Sequence, residues 1–275
     1  MFLHQKSQLL LAAREARRLD PRSQRRAFKP LSISLNHGQT VSFYFDSQEL
    51  IAKETIGSVT WYGDPDSVVF EVQIPNNAKG ETVSGCIYLS VDDVPIGEIE
   101  FELLLEHSKA QPAESMPLGF LQQVDDAPKS VGSAARHYKK AFLSYARKDI
   151  AWASVFAEGL TSNEIELFVD LMTMEPGDEW APKLIEAIEG SDVFFLLWSH
   201  NAAESEWVAK ECLAACTRHT KTSGTQPSIR PIVIDDGAST PPYCISKFHC
   251  DSRWRHIRIA GKKSIFSESK DATGS

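Results

Sequence analysis

The residues best suited to chemistry are a tryptophan and a glutamate four positions apart, Trp207 and Glu211. They follow the apolar run 193–198, which indicates a buried strand, and they open a predicted helix over residues 205–217. A spacing of four puts both side chains on one helix face. The pattern therefore predicts an aromatic surface beside a carboxylate at the end of a strand, where open α/β sheets bind ligands.

The neighbours of Glu211 predict a carboxylate that is only partly solvated. Val208, Cys212 and Ala215 recur at helical spacing and form an apolar stripe, with Glu211 on its edge. The usual alternative is an exposed helix glutamate paired with a cation. Its place beside the stripe, together with the neighbouring motif, favours a functional site.

Charge is unevenly distributed along the 275 residues, whose formal net charge is −8. Residues 1–26 are strongly basic, whereas residues 31–106 contain only Lys53 and Lys79 against many carboxylates. A solvated helix that pairs with its acidic neighbour is favoured over a contact with nucleic acid or an anionic membrane. The apolar residues 9–13 are too few for a secretory signal or a membrane span, so we expect a cytoplasmic protein without a nucleic-acid partner.

The cysteines do not indicate a disulfide framework or a metal site. Their number is odd, at Cys86, Cys212, Cys216, Cys244 and Cys250, and reduced thiols are expected. Cys212, Cys216 and His219 follow helical spacing, but a paired CxxC hairpin is missing. Small buried thiols on a helix face are favoured over zinc, and we expect neither a metal nor a cofactor.

Changes in sequence pattern divide the chain into five segments. They are a basic helical arm (1–26), a small β-sandwich-like domain (27–106), a linker (107–136), an α/β domain (137–262) and a disordered tail (263–275). In the first domain, period-two alternation predicts antiparallel strands at 31–35, 41–45, 68–74, 86–91 and 97–105, with a turn at 94–97.

The second domain alternates strands with helices, which is typical of a parallel sheet covered on both faces. We predict strands at 140–145, 166–169, 192–198, 230–234 and 256–259. The predicted helices span 149–160, 179–189 and 205–217.

Three motifs in this second domain occur in a characteristic order. They are Ala141-Phe142-Leu143-Ser144-Tyr145, then Phe168-Val169-Asp170 with Pro176-Gly177-Asp178-Glu179-Trp180, and finally Trp207-xxx-Glu211. Together, over residues 139–259, they resemble a Toll/interleukin-1 receptor (TIR) domain of the bacterial type. The resemblance implies a flavodoxin-like sheet whose first strand lies between the second and the third, with a ligand crevice between strands one and three.

The resemblance also implies roles for single residues. Many TIR domains of this type cleave NAD between nicotinamide and ribose, and the family's catalytic glutamate corresponds to Glu211. The implied substrate-binding residues are Trp207, Tyr145, Ser144, Arg147 and Asp170. The implied loop for TIR-to-TIR self-association contains Glu175, Pro176, Gly177 and Asp178.

The chemistry of NAD suits a single carboxylate. Glycosidases need two because a leaving alkoxide must be protonated. Nicotinamide leaves as a neutral molecule from a cationic pyridinium, so one carboxylate that faces the developing positive charge is enough. An aromatic plane beside it can stack on the nicotinamide.

The sequence excludes other protein classes that share this fold, but a non-enzymatic function stays open. The first strand lacks the aspartates of a receiver domain and the phosphate loop of a flavodoxin, and no G-x-G-x-x-G or P-loop is present. We expect an NAD hydrolase that assembly activates, in the role of a bacterial immune effector. The alternatives are a non-enzymatic TIR scaffold or adaptor and a virulence factor. An activating ligand at the N-terminal domain and a linear or cyclic ADP-ribose product stay open.

Overall fold

A computed structural model describes residues 2–19, 34–75, 81–105, 130–169, 180–235, 238–246 and 248. The chain divides into two compact units. The N-terminal unit comprises residues 1–89 and 97–136, and the C-terminal unit comprises residues 90–96 and 137–275. The predicted strand 256–259, the predicted tail 263–275 and most of the predicted linker lie outside the described residues.

The N-terminal unit is β-rich, as the alternating sequence predicts. Its elements are β1 (Phe2–Leu3), α1 (Leu9–Leu19), β2 (Thr40–Asp46), β3 (Ile51–Ala52), β4 (Ile56–Thr60), β5 (Asp66–Ser67), β6 (Val72–Gln73), β7 (Thr82–Val91), β8 (Val94–Leu104) and β9 (Ser130–His137), the last three reaching or crossing the unit boundary. A five-stranded sheet has the order β4-β2-β7-β8-β9, and the pairs β1–β5 and β3–β6 lie outside it. In β2 every second residue is buried, and Val41, Phe43 and Phe45 form the inner face.

Three predictions for the β-rich part of the chain are wrong in detail. The strand predicted over residues 68–74 shrinks to the two residues of β6, and Ser34 and Leu35 of the predicted strand 31–35 are outside any strand. The turn between β7 and β8 falls at Asp92 and Asp93, not at 94–97, because those two residues adopt the positive φ that a two-residue hairpin requires.

Part of the predicted linker is a strand. Residues 130–137 form β9 at the edge of the five-stranded sheet, although their sequence lacks an apolar alternation. Arg136 supplies a reason, since its guanidinium pairs with Glu98 at 3.4 Å and with Glu100 at 2.8 Å on neighbouring β8. Cross-strand charge pairing of this kind stabilises a strand that hydrophobic patterning does not reveal.

The C-terminal unit has the predicted α/β alternation. Its elements are β10 (Lys140–Ser144), α2 (Ile150–Ser162), β11 (Glu166–Val169), α3 (Trp180–Glu189), β12 (Val193–Trp198), α4 (His200–Ala203), α5 (Glu206–Lys221), β13 (Ser228–Val233) and α6 (Tyr243–Ser246). Four parallel strands have the order β11-β10-β12-β13. The first strand of the unit therefore lies between the second and the third, as predicted.

The core of this sheet explains why helices cover both faces. All six residues of β12 are buried. Phe194 stacks on Phe142 at 5.5 Å between ring centroids, on the face packed by α3 and α5, whereas Phe195 meets Phe156 of α2 at 5.1 Å. Because neighbouring strand residues point to opposite faces, the two phenylalanines anchor two helical layers. None of the described helices is long and apolar enough to cross a membrane.

The buried imidazole of His137 should make the stability of the protein depend on pH. Both ring nitrogens are buried without a hydrogen-bond partner among the described residues, and burial, followed by the charge of Lys139, lowers the pKa of this imidazole. The carboxylates of Asp192 and Glu164 oppose that shift. The folded pKa of His137 lies below the unfolded value, so protonation of this side chain opposes folding. The protein therefore has its full stability above the unfolded pKa and loses stability as pH falls toward the folded pKa.

We therefore expect the melting temperature to fall between about pH 7.5 and pH 5.5, and His137→Phe to reduce that fall. Thermal unfolding followed by circular dichroism measures both values. His200→Gln, at an exposed histidine of α4, is the matched control. An equal acid loss in the wild type and the His137→Phe protein would contradict the assignment.

Candidate active site

Glu211 lies on the inner face of α5, on the stretch of chain that leaves the end of β12. Helix α5 begins after Ser205, whose hydroxyl accepts the backbone N–H of Val208 at 3.3 Å and caps the first turn. Val208, Cys212 and Ala215 then bury one helix face in the core. Glu211 is 0 % exposed. The expectation of a partly solvated carboxylate is therefore wrong, because the neighbouring β10 closes over its side of the stripe.

Both carboxylate oxygens of Glu211 accept a hydrogen bond. Ser144 Oγ donates to Oε2 at 2.6 Å, and Trp207 Nε1 donates to Oε1 at 2.7 Å. Ser144 is the last residue of β10 and pairs in register with Leu196 of β12. The two donors thus place the carboxylate beside the carboxyl ends of β10 and β12, at the point where the strand order reverses.

This arrangement is costly unless both donors stay in place. A buried carboxylate loses its hydration, and hydrogen bonds to the charged group offset that loss. Ser144 is fully buried, whereas Trp207 is only partly buried. The indole is therefore the side of the arrangement that opens toward solvent.

The remaining predicted site residues fall into three groups. Tyr145, directly after Ser144, is 3 % exposed and belongs to the interior. Arg147 is exposed, in the turn between β10 and α2. Asp170 and the predicted assembly loop (Glu175, Pro176, Gly177 and Asp178) lie outside the described residues.

A second buried carboxylate was missed by sequence reasoning. Asp149 accepts hydrogen bonds from Ser199 Oγ at 2.5 Å and from Asn201 Nδ2 at 2.7 Å. Ser199 also caps α4 by accepting the backbone N–H of Ala202 at 2.9 Å. These bonds join the loop after β10 to the loop after β12. Aspartate at a helix start and Ser-x-Asn after a strand were the available signals, but each is common in turns.

The cysteines near Glu211 behave as core residues. Cys212 and Cys216 are buried in the cluster that α5 forms with the sheet, and Cys244 of α6 packs against them. Burial raises the pKa of the Cys212 thiol, which therefore stays neutral. In the described part of the chain, no group of histidine, cysteine and carboxylate side chains could hold a metal ion.

Removing the serine donor tests the hydrogen-bond geometry. Ser144→Ala leaves Oε2 of Glu211 buried without this donor, and we expect it to lower the free energy of unfolding by about 1–3 kcal/mol. Ser154→Ala removes an exposed hydroxyl on α2 and serves as the control. Urea unfolding of the three proteins gives the comparison. Equal stabilities for Ser144→Ala and Ser154→Ala would show that the buried bond contributes nothing.

Comparison with known proteins locates this site in a known domain type. Residues 141–263 match the family model described as "TIR domain". Among solved structures, the chain is similar to the TIR domains of the activated Roq1 resistosome, which directly recognises the pathogen effector XopQ, with 23% identity and a TM-score of 0.31. This match covers 34% of the protein described here and 57% of the Roq1 chain.

A second similar structure is the TIR domain of the Toll-related receptor TRR-2 from Hydra magnipapillata. Here the identity is 20%, the TM-score is 0.33, and the match covers 48% of the chain and 97% of that chain. No curated protein matches the chain. The family match spans the four parallel strands and the helix that carries Glu211, so the C-terminal part of this chain is a TIR domain.

Proposed function

We propose that the TIR domain cleaves NAD⁺ at the bond between nicotinamide and ribose, with Glu211 as the catalytic carboxylate. One observation carries this proposal: a fully buried carboxylate that accepts hydrogen bonds from Ser144 and Trp207 at the switch point of a parallel sheet. Buried carboxylates are rare outside functional sites or ion pairs. A hydroxyl and an indole N–H are two of the groups that hold Glu211.

A single carboxylate fits the reaction. The C1′–N bond breaks and its electron pair stays on nicotinamide, which leaves as a neutral base. The ribose C1′ becomes positively charged, and the negative charge of Glu211 stabilises that cation more than it stabilises the ground state. Water then attacks C1′ and releases a proton, which gives linear ADP-ribose; attack by the adenine of the same molecule would give the cyclic product.

The other residues divide the remaining tasks. Ser144 donates its hydroxyl to Glu211 and so positions the carboxylate beside the substrate. Trp207 offers an aromatic plane to the nicotinamide. Arg147 is exposed just beyond the end of β10, and its guanidinium suits the pyrophosphate of NAD⁺. Asp170 is the remaining substrate-binding residue of this proposal.

Access to Glu211 requires a change of conformation. A carboxylate with no exposed surface cannot contact a ribose, and Trp207 is the partly exposed group bonded to it. We therefore assign Trp207 the role of a cover that turns away when the domain is active. Self-association, through the loop that contains Glu175, Pro176, Gly177 and Asp178, supplies the contacts that stabilise the open form.

Such control suits a protein whose activity would empty the NAD⁺ pool of its own cell. A bacterial immune effector that clustering activates is the biology we favour. The burial of Glu211 in a single chain also fits a purely structural role, which is the observation in favour of a non-enzymatic TIR scaffold or adaptor. The two functions differ in whether the assembled protein releases nicotinamide.

Substitution of Glu211 separates these functions. Glu211→Gln keeps the shape and removes the charge, and we expect nicotinamide release to fall by at least about a thousandfold. Glu206→Gln, on the exposed first turn of the same helix, should keep wild-type turnover. Chromatographic measurement of nicotinamide, with melting temperatures for both variants, gives the answer. Full turnover in the Glu211→Gln protein would exclude the assignment.

Activation by assembly predicts a concentration dependence. If the open form needs TIR-to-TIR contacts, nicotinamide released per mole of protein should rise with protein concentration and then level off. Fusion to an inducible dimeriser should raise turnover at a fixed low concentration. Turnover per mole that stays constant from dilute to concentrated protein would contradict activation by assembly, even if Glu211 is catalytic.

A further inference from the structure

The first of two complementary surfaces in the N-terminal unit is the outer face of α1. Leu10 is 85% exposed and Leu11 is 45% exposed. Arg14, Arg17 and Arg18 continue the same face at helical spacing, and all three are exposed. The opposite face buries Ala12 at 4% exposure, so the helix has a fixed orientation. Two exposed leucines followed by three guanidinium groups form what we call the basic face.

The second surface is a groove at the end of β2, with a volume of about 840 Å³. Among the described residues, its lining includes the carboxylates of Asp46, Glu49, Glu100 and Glu102 and no lysine or arginine. Phe101 provides an apolar floor, because its ring lies against Gly85, where a Cβ would approach Phe101 Cζ to 2.4 Å. We call this surface the acidic groove.

The charges of the acidic groove are available for a partner. Arg136 pairs with Glu100, but no salt bridge joins Asp46, Glu49 or Glu102 to a cation within the part of the chain that the structure describes. Ser84 donates its backbone N–H to Glu49 at 2.6 Å and its hydroxyl at 2.9 Å, and these bonds lower the pKa of Glu49. Glu49 therefore stays ionised at neutral pH.

The two surfaces are anchored at opposite ends of β2. Gln8, just before α1, donates its side-chain amide to the carbonyl of Gly63 at 2.7 Å, and the neighbouring Trp61 pairs with Gln39 at the Thr40 end of the strand. The acidic groove begins at Asp46, about 20 Å farther along the strand. No residue of α1 is among the lining residues of the groove.

We propose that the basic face of α1 in one copy of the chain docks into the acidic groove of a second copy. Leu10 and Leu11 cover Phe101, and the guanidinium groups of Arg14 and Arg17 face the carboxylates, whereas Arg18 pairs with Glu15 of its own helix at 3.7 Å. Because the two surfaces are different and lie at different ends of the unit, the contact is heterologous and repeats from copy to copy. An anionic membrane fits less well, since the basic face carries few apolar residues and the chain itself supplies the complementary charges.

This contact goes beyond NAD⁺ cleavage, although it rests on the proposed function for its purpose. A chain of N-terminal units would raise the local concentration of the attached TIR domains and so favour their self-association. Assembly itself needs neither NAD⁺ nor Glu211. The two proposals can therefore fail separately.

Charge exchange tests the contact in the full-length protein. One variant combines Arg14→Glu with Arg17→Glu, and the other combines Asp46→Lys with Glu102→Lys. Sedimentation velocity over a range of concentrations should show self-association of the wild type, weakened at least about tenfold in either variant. An equimolar mixture of the two variants should restore assembly, because each mixed contact again joins opposite charges. Lys53→Glu, at an exposed cation elsewhere in the unit, should have no effect.

The dependence of assembly on salt and the binding of the protein to lipid vesicles provide two further tests. Assembly of the wild type should weaken as ionic strength rises above about 0.15 M, because exposed charges more than about 8 Å apart are then largely screened from one another. Restored assembly in the mixture also shows that both variants fold. Wild-type assembly in either variant alone, or a mixture that stays dissociated, would overturn the proposal. So would a wild type that stays monomeric and instead binds phosphatidylserine vesicles through Arg14 and Arg17.

Discussion

The burial of one carboxylate against two donors is the constraint on which the C-terminal unit depends. Glu211 has no exposed surface, and its oxygens are held by Ser144 at 2.6 Å and Trp207 at 2.7 Å. Hydrogen bonds of this kind offset the loss of hydration of a buried carboxylate. Helix α5 is therefore tied to the end of β10 by polar contacts as well as by its apolar stripe. The strand order β11-β10-β12-β13 brings the two elements together.

The same constraint separates stability from activity. The bonds that hold Glu211 also keep a ribose away from it, so a catalytic role requires that the partly buried Trp207 give up its bond. That cost has to be met by contacts formed elsewhere, and contacts between copies of the chain can meet it. The network of Asp149, Ser199 and Asn201 holds the loops after β10 and β12 together, so the opening can be confined to the indole side.

Sequence patterns predicted most of the TIR domain because its strands are short apolar runs between polar ends. The bounds of β11 were predicted to the residue, and those of β12 to within one. The β-rich unit was harder, since β6 and β9 depend on pairing across the sheet, which no local pattern records. The Trp207–Glu211 pair was visible as a spacing of four. Complete burial of Glu211 was not, because it depends on Ser144, which is 67 positions away in sequence.

A structure of the assembled Glu211→Gln protein with NAD⁺ bound tests the catalytic role of Glu211 most directly. If Glu211 is the catalytic carboxylate, the nicotinamide ribose will lie against the side chain at position 211, and the Trp207 indole will have moved out of hydrogen-bond distance from it. NAD⁺ bound elsewhere, with the side chain at position 211 still enclosed by Ser144 and Trp207, would exclude a catalytic role for this glutamate and leave it a structural role alone.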